Sequence, residues 1–410
     1  MAQSYKQSNS STADNNLNGV LLLRKPEKSE NPIKWYSSKI AGVPFILRNL
    51  LTLQKADIKT LVVFMEDPHG DFQKSFEKIL QDPRLSQDII WIGNITQLKE
   101  WIQNNPNPVY IFNGSALHDN KKLYQLIRSE TQNGEESFFP INPENLQDLL
   151  LNNALDSIIS RSSESRHMGF PVYIPGSKDV EIQKPEDFKI LHEAQMRNSG
   201  LHHDSAITRI LSRPASRVLT RMFLNTSISP NQITLISFFL GLTSAFLFSR
   251  GYYESSVIAS VLLVLSTWID GADGEIARLK FMESDIGKKL DLYCDNIIHF
   301  LVFTAIGYGA FLKTSETLFL YLGSLAGLGG LLAFFLLSPI LLEKRSPEKQ
   351  LFHVNEPELA EKFANRDFIH FLLLVSLIDQ LEIFITVAAI GANIFAGYLV
   401  YSRFCKLKTV

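Results

Sequence analysis

The chain has 410 residues, enough for two domains of ordinary size. Its 40 Lys and Arg nearly balance 42 Asp and Glu, for a formal net charge of −2, so it lacks the basic excess expected of a nucleic-acid binder. Two cysteines, Cys294 and Cys405, argue against a disulfide framework or a thiolate zinc site. Residues 1–18 are rich in Ser, Asn and Gln and have no apolar core of a secretory signal, so they read as a disordered tail.

From residue 19 to about 195 the sequence alternates strand-like and helix-like segments. Gly19–Leu23, Leu61–Met65, Ile89–Ile92 and Val109–Phe112 read as strands, and Phe45–Lys55, Phe72–Leu80 and Thr96–Gln103 as helices. This alternation predicts an α/β layered domain with a mainly parallel sheet. The stretch Ile40-Ala-Gly42-Val-Pro44-Phe-Ile-Leu-Arg-Asn-Leu50, followed by Ile58–Val63, resembles sugar-phosphate nucleotidyltransferases. The catalytic elements of that family are altered. Leu23-Arg24-Lys25-Pro26-Glu27 stands where its glycine-rich loop would be, and Phe112-Asn113-Gly114-Ser115 where its metal-binding Asp would be. Without a phosphate cradle and a metal carboxylate, nucleoside triphosphate chemistry is not expected. The resemblance implies a degenerate cytidylyltransferase-like module, serving as a structural cap or a nucleotide-sensing appendage.

Residues 200–228 lead into the second half. Arg209, Arg213, Arg217 and Arg221 recur every four residues and predict one basic stripe on a helix, with Ile210, Leu211, Val218 and Leu219 as apolar surface. Such a helix suits an anionic membrane surface, and Pro214 would kink it. After Asn231 the chain becomes a series of apolar runs: 233–249, 255–269, 297–312, 317–342, 368–378 and 383–402. A spanning helix needs about 20 mostly apolar residues, so residues 229–405 predict an all-α membrane domain of six helices, the fifth the shortest. One side receives Arg278, Lys280, Lys288 and Lys289 and the basic residues between Lys344 and Arg366, while the other receives only Arg250 and Lys313. The positive-inside rule makes the first side cytoplasmic, together with the N-terminal domain.

The informative segment straddles the second and third runs. Asp270 and Asp273 are three apart, and Asp291 and Asp295 four apart, so each pair shares one helix face. Four carboxylates converging near a membrane interface require cations between them, and hard oxygen ligands suit Mg²⁺ or Mn²⁺. Gly274 removes a side chain where a ligand approaches the backbone, Arg278 offers a fork for phosphate, and Gly287 permits close helix approach.

Asp270-x2-Asp273-Gly274-x2-Ala277-Arg278-x8-Gly287-x3-Asp291-x3-Asp295 resembles the CDP-alcohol phosphatidyltransferase signature without a departure. The resemblance covers residues 200–405 and implies a six-helix membrane fold, a homodimer, and a phosphoalcohol group passed from a CDP-alcohol to an acceptor alcohol with release of CMP. It also implies that Asp270, Asp273 and Asp291 hold two metal ions. Asp295 would touch metal and serve as general base, and Gly274, Arg278 and Ser284 would contact the CDP moiety. Pro230-Asn231-Gln-Ile-Thr234 resembles the family's P-N-x-x-T element, which puts Asn231 and Thr234 beside the nucleotide. Cys294 and His299 are read as packing residues. Active modules like the N-terminal one occur joined to this membrane domain in inositol-phosphate-using enzymes, which favours that acceptor class.

Two other readings differ in class. A transporter or scaffold with buried acids gives Gly274, Arg278 and Gly287 no purpose at those spacings, and a bifunctional enzyme that also makes the CDP-alcohol is opposed by Leu23–Glu27 and Asn113. Lys344, Arg345 and Arg366 are candidates for an anionic acceptor, and Gly323, Gly327 and Gly330 for close packing in a dimer.

Overall fold

The computed structural model describes residues 17–24, 31–129, 139–141, 171–176, 181–199, 208–344 and 368–407, excluding the side chains of 128–129, Pro140, 340–344 and 403–407. It divides into two compact units, residues 1–197 and 198–410.

The first unit contains β1 (Leu17–Leu22), α1 (Pro32–Ser37), β2 (Lys39–Ile40), β3 (Val43–Pro44), α2 (Phe45–Lys55), β4 (Ile58–Phe64) and α3 (Asp71–Leu80). It continues through β5 (Asp88–Ile92), α4 (Ile95–Gln103), β6 (Val109–Asn113), α5 (Asn120–Ser129), β7 (Phe139–Pro140), β8 (Val172–Ile174) and α6 (Pro185–Arg197). The sheet runs β5-β4-β1-β6-β8-β7, parallel except for the β7–β8 pair. The expected α/β class with a mainly parallel sheet is found. β1 and β4 bury almost every side chain, as strands covered on both faces must. The first strand begins two residues before the expected end of the tail: Leu17 and Asn18 belong to the sheet, and residues 1–16 lie outside the described residues. The Ala-Gly-Val-Pro-Phe stretch forms the β2–β3 hairpin, with Ala41 and Gly42 at positive φ. Buried Arg48 holds that hairpin, donating to Ile40 O at 3.1 and 2.9 Å and to Ala41 O at 3.3 Å.

His118 lies buried behind β6, its Nε2 2.9 Å from Asn113 O and its ring edge-on to Phe112. Burial drives its pKa down from 6.5 to about 4. The unfolded chain binds this proton first on acidification, so the folded unit loses stability as pH falls from 6.5 through 4. The full difference is about 3 kcal/mol from the width of that window. Three of the four tryptophans (Trp35, Trp91 and Trp101) are in this unit, so intrinsic fluorescence reports its unfolding. Denaturant midpoints should drop between pH 7 and 4 in the parent chain and flatten in His118→Gln. An equal drop in both would reject His118 as the source.

The second unit begins with a π-helical turn (Thr208–Ser212), then α7 (Arg213–Leu224), α8 (Pro230–Phe248), α9 (Tyr253–Leu279), α10 (Asp285–Thr314), α11 (Leu318–Lys344), α12 (Phe368–Leu377) and α13 (Leu381–Leu407). Among the described residues, five helices are long and apolar enough to cross a membrane: Pro230–Phe248, Tyr253–Leu279, Asp285–Thr314, Leu318–Pro339 and Leu381–Ser402. Ten-residue α12 is the shorter sixth apolar helix, and its length is compatible with the expected six-helix arrangement without establishing a sixth span. The unit is an integral membrane domain. Ser229 caps α8 in a reciprocal capping box with Gln232, and Pro230 occupies the first turn, where its missing N–H costs nothing. α8 packs on α9 and α10, α9 on α7 and α12, α10 on α11, and α11 on α13. Phe248, Leu263, Val302, Ile306, Leu372 and Ile385 form the shared core.

Two expectations about this unit are corrected. The basic stripe is broken, because Arg213 turns inward and is 9% exposed while Arg209 and Arg221 stay exposed. The π-helical turn ends where α7 begins, and Pro214 sits in the first turn of α7. Two of the three glycines named for dimer packing are used within the chain: a Cβ on Gly323 would lie 2.8 Å from Gly307 Cα, and one on Gly327 2.8 Å from the Phe300 ring. Gly330 has nothing within 4 Å. Arg345 and Arg366 lie outside the described residues, as do residues 25–27 and 200–207.

Candidate active site

The carboxylates sit on the two helices predicted for them, but the helices are longer than the apolar runs. α9 continues to Leu279 and α10 begins at Asp285, so all four Asp are helical and a five-residue connection, 280–284, joins the two helices. One oxygen each of Asp270, Asp291 and Asp295 lies within 4.8 Å of the others. Asp270 is 7% exposed, and Asp291 and Asp295 are half-buried. Ser237, one turn beyond Thr234 on α8, donates to Asp270 Oδ1 at 3.4 Å. Three carboxylate oxygens this close, drawn from two helices, form a hard-donor set that fits a divalent cation of the Mg²⁺ or Mn²⁺ kind.

Asp273 is placed differently. It is 5% exposed and is not in that three-carboxylate group. Its Oδ2 accepts a short hydrogen bond from Thr234 Oγ1, which also bonds Pro230 O at 3.2 Å. Thr234, expected beside the nucleotide, thus orients the carboxylate expected to bind metal.

The remaining predicted residues form two groups. A Cβ on Gly287 would lie 2.8 Å from Asn231 Oδ1 and 3.0 Å from Ser284 Oγ, so this glycine makes room for Asn231 of α8 at the first turn of α10. Ser284 caps that helix, accepting from Gly287 N at 3.0 Å. On α9, a Cβ on Gly274 would lie 3.3 Å from Arg278 Nη1, and Arg278 Nε donates to Ser199 O at 2.9 Å. The guanidinium therefore lies over the glycine, one turn along from it. A cavity of about 20 Å³, room for about one water, borders Asp270, Asp295, Cys294, His299 and Ser237. His299 packs edge-on to Phe368, consistent with a packing role.

The sequence reading passed over Glu275, which occupies one of the unspecified positions of the motif and is fully buried. Its signal was a charge within a long apolar helix, but its partner is 62 residues away on α7.

Residues 227–397 match the family described as CDP-alcohol phosphatidyltransferase. The second unit carries a CDP-alcohol phosphatidyltransferase domain. The chain is 32% identical over 138 residues to the "Bifunctional IPC transferase and DIPP synthase" of Archaeoglobus fulgidus, covering 33% of this chain and 26% of that protein. It is 26% identical over 120 residues to the "Archaetidylinositol phosphate synthase" of Pyrococcus horikoshii, covering 29% of this chain and 62% of that protein. The chain thus spans between 26% and 36% of the length of the bifunctional relatives it matches. Among solved structures, the Mycobacterium tuberculosis phosphatidylinositol phosphate synthase with CDP-DAG bound overlaps 46% of this chain and 92% of its own, at TM-score 0.34 and 15% identity.

At the carboxyl ends of β1 and β6, where a doubly wound sheet holds its ligands, described side chains of the first unit bond to one another and to the backbone. Arg24 Nη2 donates to Tyr173 OH at 3.0 Å, and Tyr36 OH donates to Arg24 O at 2.8 Å while accepting from Arg24 N. Asn49 Nδ2 donates to Gly114 O at 3.1 Å, and Asn113 accepts from Ser115 N at 3.0 Å. Arg24, Tyr36, Asn49, Asn113 and Tyr173 are all buried.

Proposed function

We propose that this protein transfers a phosphoalcohol group from a CDP-alcohol to an acceptor alcohol and releases CMP. The observation that carries the reading is the convergence of Asp270, Asp291 and Asp295 from two helices inside a domain matched to the CDP-alcohol phosphatidyltransferase family. In this reading Asp270, Asp273, Asp291 and Asp295 would hold two Mg²⁺ or Mn²⁺ ions, which would supply positive charge to offset the diphosphate and the developing charge on CMP. Asp295 takes the proton from the acceptor hydroxyl. The freed oxygen forms the new bond to the donor's β-phosphorus as the bond to the CMP oxygen breaks, and CMP leaves with that electron pair. Arg278 binds the diphosphate, Gly274 gives it room, and Asn231, Thr234 and Ser284 face the cytidine nucleotide. Thr234 does so through Asp273, which its hydroxyl already holds.

The acceptor we favour is an inositol phosphate, supported by the name of the Pyrococcus relative. The positive-inside bias of the basic loops supports a cytoplasmic face for the site and the N-terminal unit, and the basic and apolar residues of the described segment from Thr208 to Leu224 support its contact with the membrane surface. Ile210, Val218 and Met222 are exposed beside Arg209 and Arg221, which suits that contact. We read the first unit as non-catalytic, because Arg24, Tyr36 and Tyr173 at its sheet crevice are buried and bonded to one another and Asn113 stands where a metal-binding Asp would be, and the whole protein as a homodimer. Purified full-length protein should release CMP from CDP-diacylglycerol or CDP-inositol with a matching acceptor. EDTA should abolish the release and Mg²⁺ or Mn²⁺ restore it, with no turnover of CTP. Release that survives EDTA would reject the metal assignment, and CTP turnover would favour the bifunctional reading.

A further inference from the structure

Glu275 lies between Gly274 and Arg278, yet the proposed reaction does not use it. It is 0% exposed. On α9 it points away from Asp270 and Asp273 toward α7, as does Gly271 one turn earlier, where an added Cβ would come within 3.4 Å of Ser216 Cβ. Three side chains on one face of α7 converge on this single carboxylate. Arg213 Nη1 and Ser216 Oγ donate to Oε1 at 2.7 and 3.0 Å, and Thr220 Oγ1 donates to Oε2 at 2.8 Å. Their spacing of three and four residues puts them in line along α7, so the acid fits one register of that helix and no neighbouring one. An apolar contact would have held α7 as tightly with less loss of solvation. What a buried charged pair adds is register.

That register reaches the nucleotide side of the site. α7 leads through Thr226, whose carbonyl accepts from Lys280 Nζ at 3.0 Å, into the cap of α8 and Asn231 against Gly287. On the same side of α9, one turn past Gly274, Arg278 is tied to Ser199 O. We propose that Glu275 and Arg213 form a positioning clamp that fixes α7 on α9, and with it the placement of Asn231 and Arg278 against the CDP donor. The clamp rests on the CDP-alcohol reading of the site. Neither residue touches the reacting atoms, so the effect falls on donor binding.

The test compares CMP release and melting temperature in Glu275→Gln and in the double variant Arg213→Met with Glu275→Met. The single variant leaves a buried cation alone and should melt lower. The double variant leaves no buried charge, so its melting temperature should return to that of the parent. Its KM for the CDP-alcohol should nevertheless stay raised about tenfold, with kcat within about threefold and the Mg²⁺ dependence unchanged. A double variant that melts like the parent and keeps the parent's KM, or loses kcat alone, would overturn the clamp and make the pair structural only. A parent chain that releases no CMP from any donor would instead overturn the reading of the site, and the clamp with it.

Discussion

Asp295→Asn should lower CMP release by about a thousandfold or more, the sum expected when a general base and a metal carboxylate are lost together. Asn keeps the shape of Asp and one oxygen but cannot accept the acceptor's proton at neutral pH. The fold should not suffer. Asp295 is one of three carboxylates with oxygens within 4.8 Å of each other, so removing its charge relieves like-charge repulsion in metal-free protein. The melting temperature in EDTA should therefore hold or rise while turnover collapses. Activity within about tenfold of the parent would remove Asp295 from the role of base.

The second large effect is on folding. Gly309 of α10 faces the loop after α8: a Cβ there would lie 2.2 Å from Phe248 O, and one on Gly251 2.5 Å from Gly309 O. Gly251 also has φ +71°, a conformation costly for other residues. Both partners are backbone, so nothing can rotate aside, and α8 and α10 must separate to admit a side chain. Gly309→Val should cost about 3 kcal/mol or more. Its signature is a sharp drop in melting temperature and in the monodisperse fraction after detergent extraction. Gly330→Val is the control, since a Cβ there meets nothing within 4 Å. Equal behaviour of the two variants would contradict the close approach of α8 and α10.

The membrane helices and the aspartate motif were legible in the sequence because both are written locally. A spanning helix is a run of apolar residues, and the motif's spacing fixes which carboxylates share a face. The limits of the helices were less so: α9 and α10 run past the apolar stretches through Asp270–Leu279 and Asp285–Asn296, where charge hides a helix the apolar count cannot see. In the first unit the strongly apolar β1 and β4 were readable, whereas two-residue β2, β3 and β7 and three-residue β8 are too short to leave a pattern. The four-residue rhythm of Arg209 to Arg221 was misleading for a different reason. Periodicity puts like residues on one face but does not say which of them meets a buried acid, and Arg213 meets Glu275 from 62 residues away. The roles of Thr234 and Gly287 were similarly non-local, because Asp273 and Asn231 come to them from other helices.

The most direct test follows the phosphorus atom. A CDP-alcohol radiolabelled at the β-phosphate is given to the purified full-length protein with Mg²⁺ and inositol phosphate, and the products are separated. The account predicts that the label moves to a phosphodiester containing both alcohols and that an equal amount of unlabelled CMP appears. Label released as the donor's own alcohol phosphate would mean that water, not an alcohol, attacks the diphosphate, and would contradict the transferase reading.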